Sequence, residues 1–340
     1  MHRLFFLFLI FFAVSILHSC ALPKKTSLRN DPLIGKIFNT RTTQSIDFDS
    51  LIQIIKSHDV IYLSEKHNNP DHHDIQQKII RALIATGVKP LIGFEFFSMD
   101  DTPDLLNFVD SGTVTHSKKT EKFIETDLRK KLGWDTQSDK MWQYYFELLK
   151  IAKKETLEVA GIDLPTTLKK RITRKGIANI TPIEKELIFS TNLSDDAYKD
   201  YMFSIFKDVH CGMGHEKMQS KLYDTWVARN DKMALSISRL HKHSKGPVII
   251  IIGGGHTEYG LGVIDRVAAI DTTVKQVNIA LKEISINPSQ FSDYVPLLEL
   301  KGYKKVPPAD FLWFTQRVSY EDPCKEFKKL LEKMKKPSTD

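Results

Sequence analysis

Two histidines stand just beyond apolar runs: His67 follows "VIYLSEK" (60–66) and His256 follows "VIIIIGGG" (248–255). Glu65 comes two residues before the first, Glu95 sits inside "LIGFEFF" (91–97), and Asp163 ends "LEVAGID" (157–163). Imidazoles and carboxylates in this combination suit two kinds of chemistry. They can hold a divalent metal such as Zn²⁺ or Mn²⁺ with a position left open for water, or act as acid and base toward an ester or amide. Glu65, His67, Glu95 and His256 are therefore the candidate metal-ligating or catalytic set. Each has a plainer explanation beside it: a Glu inside "FEFF" also suits a buried acid bonded to backbone or to a basic side chain. His72 and His73 read as exposed residues of a helix start.

The elements that must position these groups are legible. The four runs "VIYL", "PLIGFEFF", "TLEVAGID" and "PVIIII" are continuously apolar and rich in β-branched residues, the pattern of strands covered on both faces. Asn69 and Pro70 form a cap and first helical position, and Ile75, Ile79, Leu83 and Ile84 continue as one stripe until Gly87. The fold class is α/β, a mainly parallel sheet flanked by helices, with a smaller helical subdomain inserted at about 113–245. "QVNIAL" and "DFLWFT" are further strands of undefined place. Parallel strands end at one edge, and ligands of open α/β sheets bind outside that edge, which gathers the scattered groups into one candidate site. The helix opening at Asn69 and Pro70 would add its N–H groups there and favour an anion.

Other motifs fail on spacing. "HEKMQ" (215–219) has Gln219 where a metalloprotease helix needs its second histidine, and "GGGHTE" (253–258) has Glu258 where a dinucleotide fingerprint needs a small residue. "HCGMGH" (210–215) reads as a Gly-rich helix connection with metal binding as the alternative. Tyr144, Tyr145, Phe146, Tyr198, Tyr201 and Phe206 either line a pocket for a flat ligand or pack the core. Arg229 and Asp231 lie two apart on a helix and do not face each other; Arg229 is available to an anion or to a salt bridge elsewhere.

The chain has 340 residues and a formal charge of +7 from 49 basic and 42 acidic residues, without a basic repeat interleaved with aromatics, so nucleic acid is not an expected partner. Its first nineteen residues carry Arg3 and then an apolar stretch, the form of a signal peptide (1–19). "LHSC" (17–20) looks like a bacterial lipobox, which implies cleavage before Cys20, lipidation of Cys20 and a membrane-anchored body. A plain secreted chain with an incidental Cys20 is the simpler alternative. Residues 20–45 read as a polar tether, 46–318 as the α/β body, and 319–340 as a basic C-terminal helix or tail. Cys211 and Cys324 are too few for a disulfide framework.

Taken as a set and in order, "VIYLSEKHNNPDHHDIQQKIIRAL", "GFEFF", "GIDLP", "HCGMG", "WVARNDKMA" and "IIGGGHTEYGLGV" resemble the ChaN-like haem-binding lipoproteins. The resemblance implies haem as cofactor or cargo, a pocket shared in a homodimer, and haem or iron acquisition at the bacterial cell envelope. It implies a tyrosine at the haem iron, for which Tyr259 is the candidate, with His67 and His256 as further haem-binding residues. The lipoprotein features imply the outer membrane, facing the periplasm, because Ala21 stands where an inner-membrane retention signal has Asp. The family is similar to a wider group including the Tiki metalloproteases and the erythromycin-esterase-like hydrolases, which share two Gly-x-x-His motifs. Gly253 to His256 keeps that pattern; at Ser64 to His67 a serine stands in place of the glycine, which puts the turn that aims His67, and hence a metal-dependent hydrolase activity, in question.

Overall fold

A computed structural model describes residues 30–111, 118–212 and 216–335. The signal segment, Cys20, Ala21 and His215 lie outside the described residues. In chain order the elements are β1 (Ile37–Asn39), β2 (Ser45–Ile46), α1 (Phe48–Ile55), β3 (Val60–Glu65), α2 (Pro70–Ala85) and β4 (Leu91–Ser98). Then come α3 (Thr102–Asp110), α4 (Lys118–Lys131), α5 (Asp139–Lys154), β5 (Val159–Asp163), α6 (Thr166–Lys175), α7 (Pro182–Glu186), α8 (Asp196–Val209) and α9 (Glu216–His243). The last are β6 (Val248–Gly253), α10 (Val263–Ile270), β7 (Gln276–Glu283), β8 (Phe311–Thr315) and α11 (Pro323–Lys335).

The strands form one sheet in the order β2-β1-β8-β7-β3-β6-β4-β5. From β8 to β5 every pairing is parallel, while β1 and β2 add an antiparallel edge. The apolar run of β3 alternates between two cores because successive side chains of a strand leave opposite faces. Ile61 and Leu63 join Ile249, Ile251 and the faces of α1, α2, α3 and α5. Val60 and Tyr62 join Ile250, Ile252, Met233 and Ile237 of α9 and Val263 and Val267 of α10. Each such fully buried aliphatic side chain contributes about 1.5–3 kcal/mol, so the doubly covered strands are the stable frame of the molecule.

The helix-rich interval is divided by β5 between the two sides of the sheet. Trp142, Tyr145 and Leu149 of α5 belong to the first core, the C-terminal half of α9 to the second, and α6, α8 and the first half of α9 build two satellite cores. "QVNIAL" and "DFLWFT" are β7, beside the central β3, and β8, the next strand outward.

The stretch expected to be tether is folded from Asp31 onward. β1 pairs with the otherwise open edge of β8, and Ile37 is buried in the first core. Two apolar residues amid polar ones gave the strand no periodicity to read. Cys211 and Cys324 are joined by a disulfide across 113 residues, tying the end of α8 to the start of α11 and narrowing the unfolded ensemble. Among the described residues no helix is long and apolar enough to cross a membrane.

The register of β4 against β5 shifts between Phe94 and Ser98. This bulge brings the Ser98 carbonyl oxygen to 2.0 Å from where a Cβ on Gly161 would stand, so only glycine fits β5 there. Gly161→Ala is expected to cost about 2–3 kcal/mol, read as a lower urea midpoint at unchanged slope. An unmoved midpoint would contradict this close approach.

Candidate functional site

The register of β3 on β6 sets Glu65 directly opposite Gly253 at the carboxyl edge of the sheet. β4 loses its pairing with β6 after Phe94, so the next residue, Glu95, has its carboxylate where a strand partner would be. Its Oε2 accepts the Gly253 backbone N–H at 2.6 Å, and Oε1 accepts from Arg229 Nη2 at 2.6 Å with His256 Nε2 at 3.2 Å. Arg229, from the middle of α9, also meets Asp163 Oδ2 through Nε at 3.0 Å and Nη2 at 2.9 Å, and Lys169 reaches the same oxygen at 2.6 Å. Arg229 is thus the cation of an internal cluster. Asp231 turns away and binds the buried Arg266 at 2.9 Å, as their spacing on one helix requires.

Glu65 is wrapped equally closely. Oε1 accepts from Tyr145 at 2.6 Å and lies 3.3 Å from His67 Nδ1; Oε2 accepts from Gln76 Nε2 at 2.5 Å and lies 3.4 Å from His73 Nδ1. His67 stands edge-on to Phe96 and against the Gly253 backbone, where an added Cβ would meet its Cε1 at 2.6 Å. With 48% of its side chain exposed, His67 is the open member of the pair. His256 is buried and stacks on Trp226 at 4.0 Å, with Nδ1 2.5 Å from the Asn230 side chain.

Protonation follows from burial and partners. Burial disfavours the Glu65 anion, yet the hydrogen bond with His67 and the fields of His73 and His67 hold it below the usual carboxylate range. Burial works in the same sense on Glu95, but His256 and Arg229 hold it well below that range. Burial lowers His67, and the hydrogen bond with Glu65 together with the charges of Glu95 and Glu65 more than offsets it, leaving the imidazole raised. Burial lowers His256 despite Glu95. A neutral His256 that donates Nε2–H to Glu95 leaves Nδ1 as an acceptor, and rotating the Asn230 amide turns its otherwise unpartnered Nδ2 toward that atom.

These partners decide the metal question. The carboxylates are committed to Tyr145, Gln76, Arg229 and the Gly253 N–H, and a guanidinium supplies the positive charge between Glu95 and Asp163. No group of three or more His, Cys, Asp or Glu side chains among the described residues is arranged to hold a metal ion. The donor set therefore does not fit the expected Zn²⁺ or Mn²⁺.

Glu65, His67, Glu95 and His256 are brought to one cavity of about 680 Å³, within the usual range of small-molecule sites. Trp226, Leu281 and Leu312 give it apolar wall, and Lys66, Lys282 and Arg317 stand at its rim beside two carboxylates, Lys66 and Arg317 at 2.8 and 3.7 Å from Glu283 and Lys282 at 4.0 Å from Glu258. Asp163 is held behind Arg229, and Tyr259 is not brought into the cavity. Tyr259 has a left-handed φ of 59°, and its ring packs against the satellite core of α8 and α9. The opening of α2 turns away as well, since Asn69 caps Asp71 N–H at 2.9 Å and its amide donates to Glu283 and the Gln316 carbonyl. Ser64 is a strand residue whose hydroxyl donates to Asn278 at 2.6 Å and lies 2.7 Å from Thr257, so the serine ties three segments together and makes no turn.

His72 and His73, expected on the surface, are buried, because the first turn of α2 faces the end of β3. Tyr145, one of the six aromatics read as pocket lining or core, sits in the first core and reaches the site through its hydroxyl on Glu65; Gln76, Trp226, Asn230 and Arg317 carried no signal that linked them to the site. Gln76 alone was within reach, one turn beyond His73 on the same face of α2.

His72 Nδ1 accepts the Lys66 N–H at 2.8 Å and Nε2 faces Thr315 at 2.9 Å, an arrangement only a neutral ring satisfies. Burial lowers its pKa to about 3 from the ordinary 6.5. The unfolded chain binds this proton first, so the contribution to stability is complete above pH 6.5 and is lost as the pH falls from there toward 3. Replacing His72 with glutamine is expected to flatten the acid limb between pH 7 and pH 4 by on the order of 3 kcal/mol, measured as urea midpoints. An unchanged limb would refute a neutral buried His72.

Comparison with known proteins identifies the family and the fold. A family model described as haem-binding uptake, Tiki superfamily, ChaN matches residues 51–267. No curated protein sequence matches the chain. Among solved structures, ChaN of Campylobacter jejuni, described with cofacially bound haem, is similar at 18% identity and a TM-score of 0.59, over 82% of this chain and 95% of that one. The erythromycin esterase EreC is similar at 13% identity and a TM-score of 0.41, over 81% of each chain. A Bacillus cereus protein is similar at 13% identity and a TM-score of 0.41, over 76% of this chain and 73% of that one. The fold is shared with ChaN, and with the family model matching residues 51–267, more than half of the chain, the chain belongs to the ChaN family of haem-binding uptake proteins in the Tiki superfamily.

Proposed function

We propose that this protein binds haem at the carboxyl edge of its sheet and serves haem or iron acquisition, as a lipid-anchored protein of the bacterial cell envelope whose pocket is shared in a homodimer. The observation that carries the reading is the cavity itself in a chain of this family: apolar walls for a macrocycle beside Lys66, Lys282 and Arg317 for acidic side arms. The residues fit the group. His67 is half-exposed in the cavity with a carboxylate at its other ring nitrogen, the usual support of an iron-binding imidazole. Tyr259, the tyrosine named by the resemblance, follows Glu258 of the cavity lining but has its ring in the satellite core of α8 and α9, so His67 is the ligand the geometry favours and Tyr259 the one the titration must exclude. Bound haem would supply redox-active iron; the chain's own residues cover the ring, neutralise the carboxylates and hold the ligand nitrogen in place. The Cys211–Cys324 disulfide suits an oxidising compartment such as the periplasm.

A second reading, ester or amide hydrolysis, is favoured by the Glu65–His67 pair, which has the form of a general base facing a cavity beside Arg229.

Haemin titrated into the purified protein is expected to give a saturable visible spectrum of defined ligation. Loss of that spectrum in His67→Ala or in Tyr259→Phe would name the ligand, and only non-saturating binding that albumin removes would refute haem binding. In parallel, an ester substrate such as p-nitrophenyl acetate is expected to turn over no faster with the wild type than with His67→Ala. A loss of about 100-fold or more in that variant would instead bring the hydrolase forward.

A further inference from the structure

A second cavity, of about 590 Å³, lies behind the wall made by Lys66 and Arg317, which line both cavities. Its remaining polar lining comes from Asn68, from the start of α5, and from the segment after β8 with the first turn of α11. Lys140 is exposed and makes no ion pair among the described residues, its ammonium lying 5.8 Å from the centre of the Tyr144 ring. Arg317 donates Nε to the Ser319 carbonyl at 3.0 Å and Nη1 to the Ile284 carbonyl at 3.1 Å, and shares Glu283 with Lys66 at the longer distance of 3.7 Å. Lys66 is balanced by Glu283 at 2.8 Å, and Glu326, the one carboxylate in the lining, accepts from the Ser319 hydroxyl at 2.6 Å.

The Tyr144 hydroxyl is buried with no hydrogen-bond partner among the described residues, whereas its neighbour Tyr145 donates to Glu65. A hydroxyl left so carries an unrecovered desolvation cost, which an acceptor would offset. The same cavity meets the N-terminus of α5, where Ser138 accepts the Met141 N–H at 3.3 Å and the helix presents its positive end. Lys140, Arg317, the residue that carries this orphaned hydroxyl and a helix start thus border one space.

We propose that this second cavity is an anion subsite that takes a carboxylate or phosphate group. Where the anion is a propionate arm of haem held in the first cavity, the inference rests on the haem reading; where it is free phosphate, it stands alone. Lys140→Gln and Tyr144→Phe, which do not line the first cavity, are combined in one protein whose melting curve checks the fold. Inorganic phosphate is titrated by ³¹P NMR, and haemin and its dimethyl ester by visible absorption. The expected result is that the double variant binds haemin about tenfold more weakly and the diester as before, which assigns the subsite to the propionate. Phosphate binding lost from the variant with haemin affinity intact supports the subsite with phosphate as its ligand. Phosphate and haemin binding both equal to the wild type, or haemin and diester weakened alike with phosphate unaffected, would overturn it. Haemin that does not bind the wild type at all removes only the haem reading, because the phosphate titration still decides the subsite.

Discussion

Glu95 is a buried carboxylate in a strand otherwise made of Leu, Ile, Gly, Phe and a final Ser, and a charge in such a place persists only when its oxygens are committed. One oxygen takes the last N–H of β6, and the other takes Arg229 and faces His256. The interaction joins three elements that are distant in sequence: the bulged end of β4, the loop after β6 and the middle of α9. Removing one partner of such a group leaves an uncompensated buried charge, a loss of about 3–5 kcal/mol. Most of the remaining site depends on where this carboxylate sits.

Gly253 connects that cluster to the one around Glu65. Its N–H is the Glu95 partner, its position in the register faces Glu65, and the lack of a side chain lets the His67 ring lie against its backbone. The two carboxylates are consequently held in different environments. Glu95 is neutralised by a guanidinium and withdrawn from solvent, whereas Glu65 orients a half-exposed imidazole and raises its affinity for a proton. Four groups that look equivalent in the sequence become one internal anchor with its stacked histidine and one pair that faces the cavity.

The cavity owes its cationic rim to the other half of the sheet. Lys282 comes from β7 and Arg317 from the segment after β8, and the antiparallel strand β1 completes the edge beside them. Glu283 receives Lys66, Asn69 and the Val318 N–H, so the start of α2 is bound to the far end of the chain. The Cys211–Cys324 disulfide fixes that same terminal segment to α8. The walls of both cavities therefore draw on the first and last parts of the folded chain.

Continuous apolar runs bounded by turn residues determined that β3, β4, β5 and β6 are strands buried on both faces, and helical spacing determined α2 and α9, because both patterns are local and set by side-chain period. The rule that parallel strands share one carboxyl edge was enough to gather Glu65, His67, Glu95 and His256 in advance. What the local pattern lacked was any record of partners. Whether these carboxylates meet a metal or a guanidinium depends on the distance from Arg229 to Glu95 and Asp163, and that distance is fixed by how α9 crosses the sheet. Burial of His72 and His73 depends on which face of α2 meets β3, and the ring of Tyr259 is turned away by a single left-handed residue. Short β1 and β2 exist only because β8 offers them an open edge. Residue types and their periodicity specified which groups reach the rim of the sheet; only the packing of helices against it decided what each group does there, since charge, hydrogen bonding and exposure are properties of neighbours that the linear order does not contain.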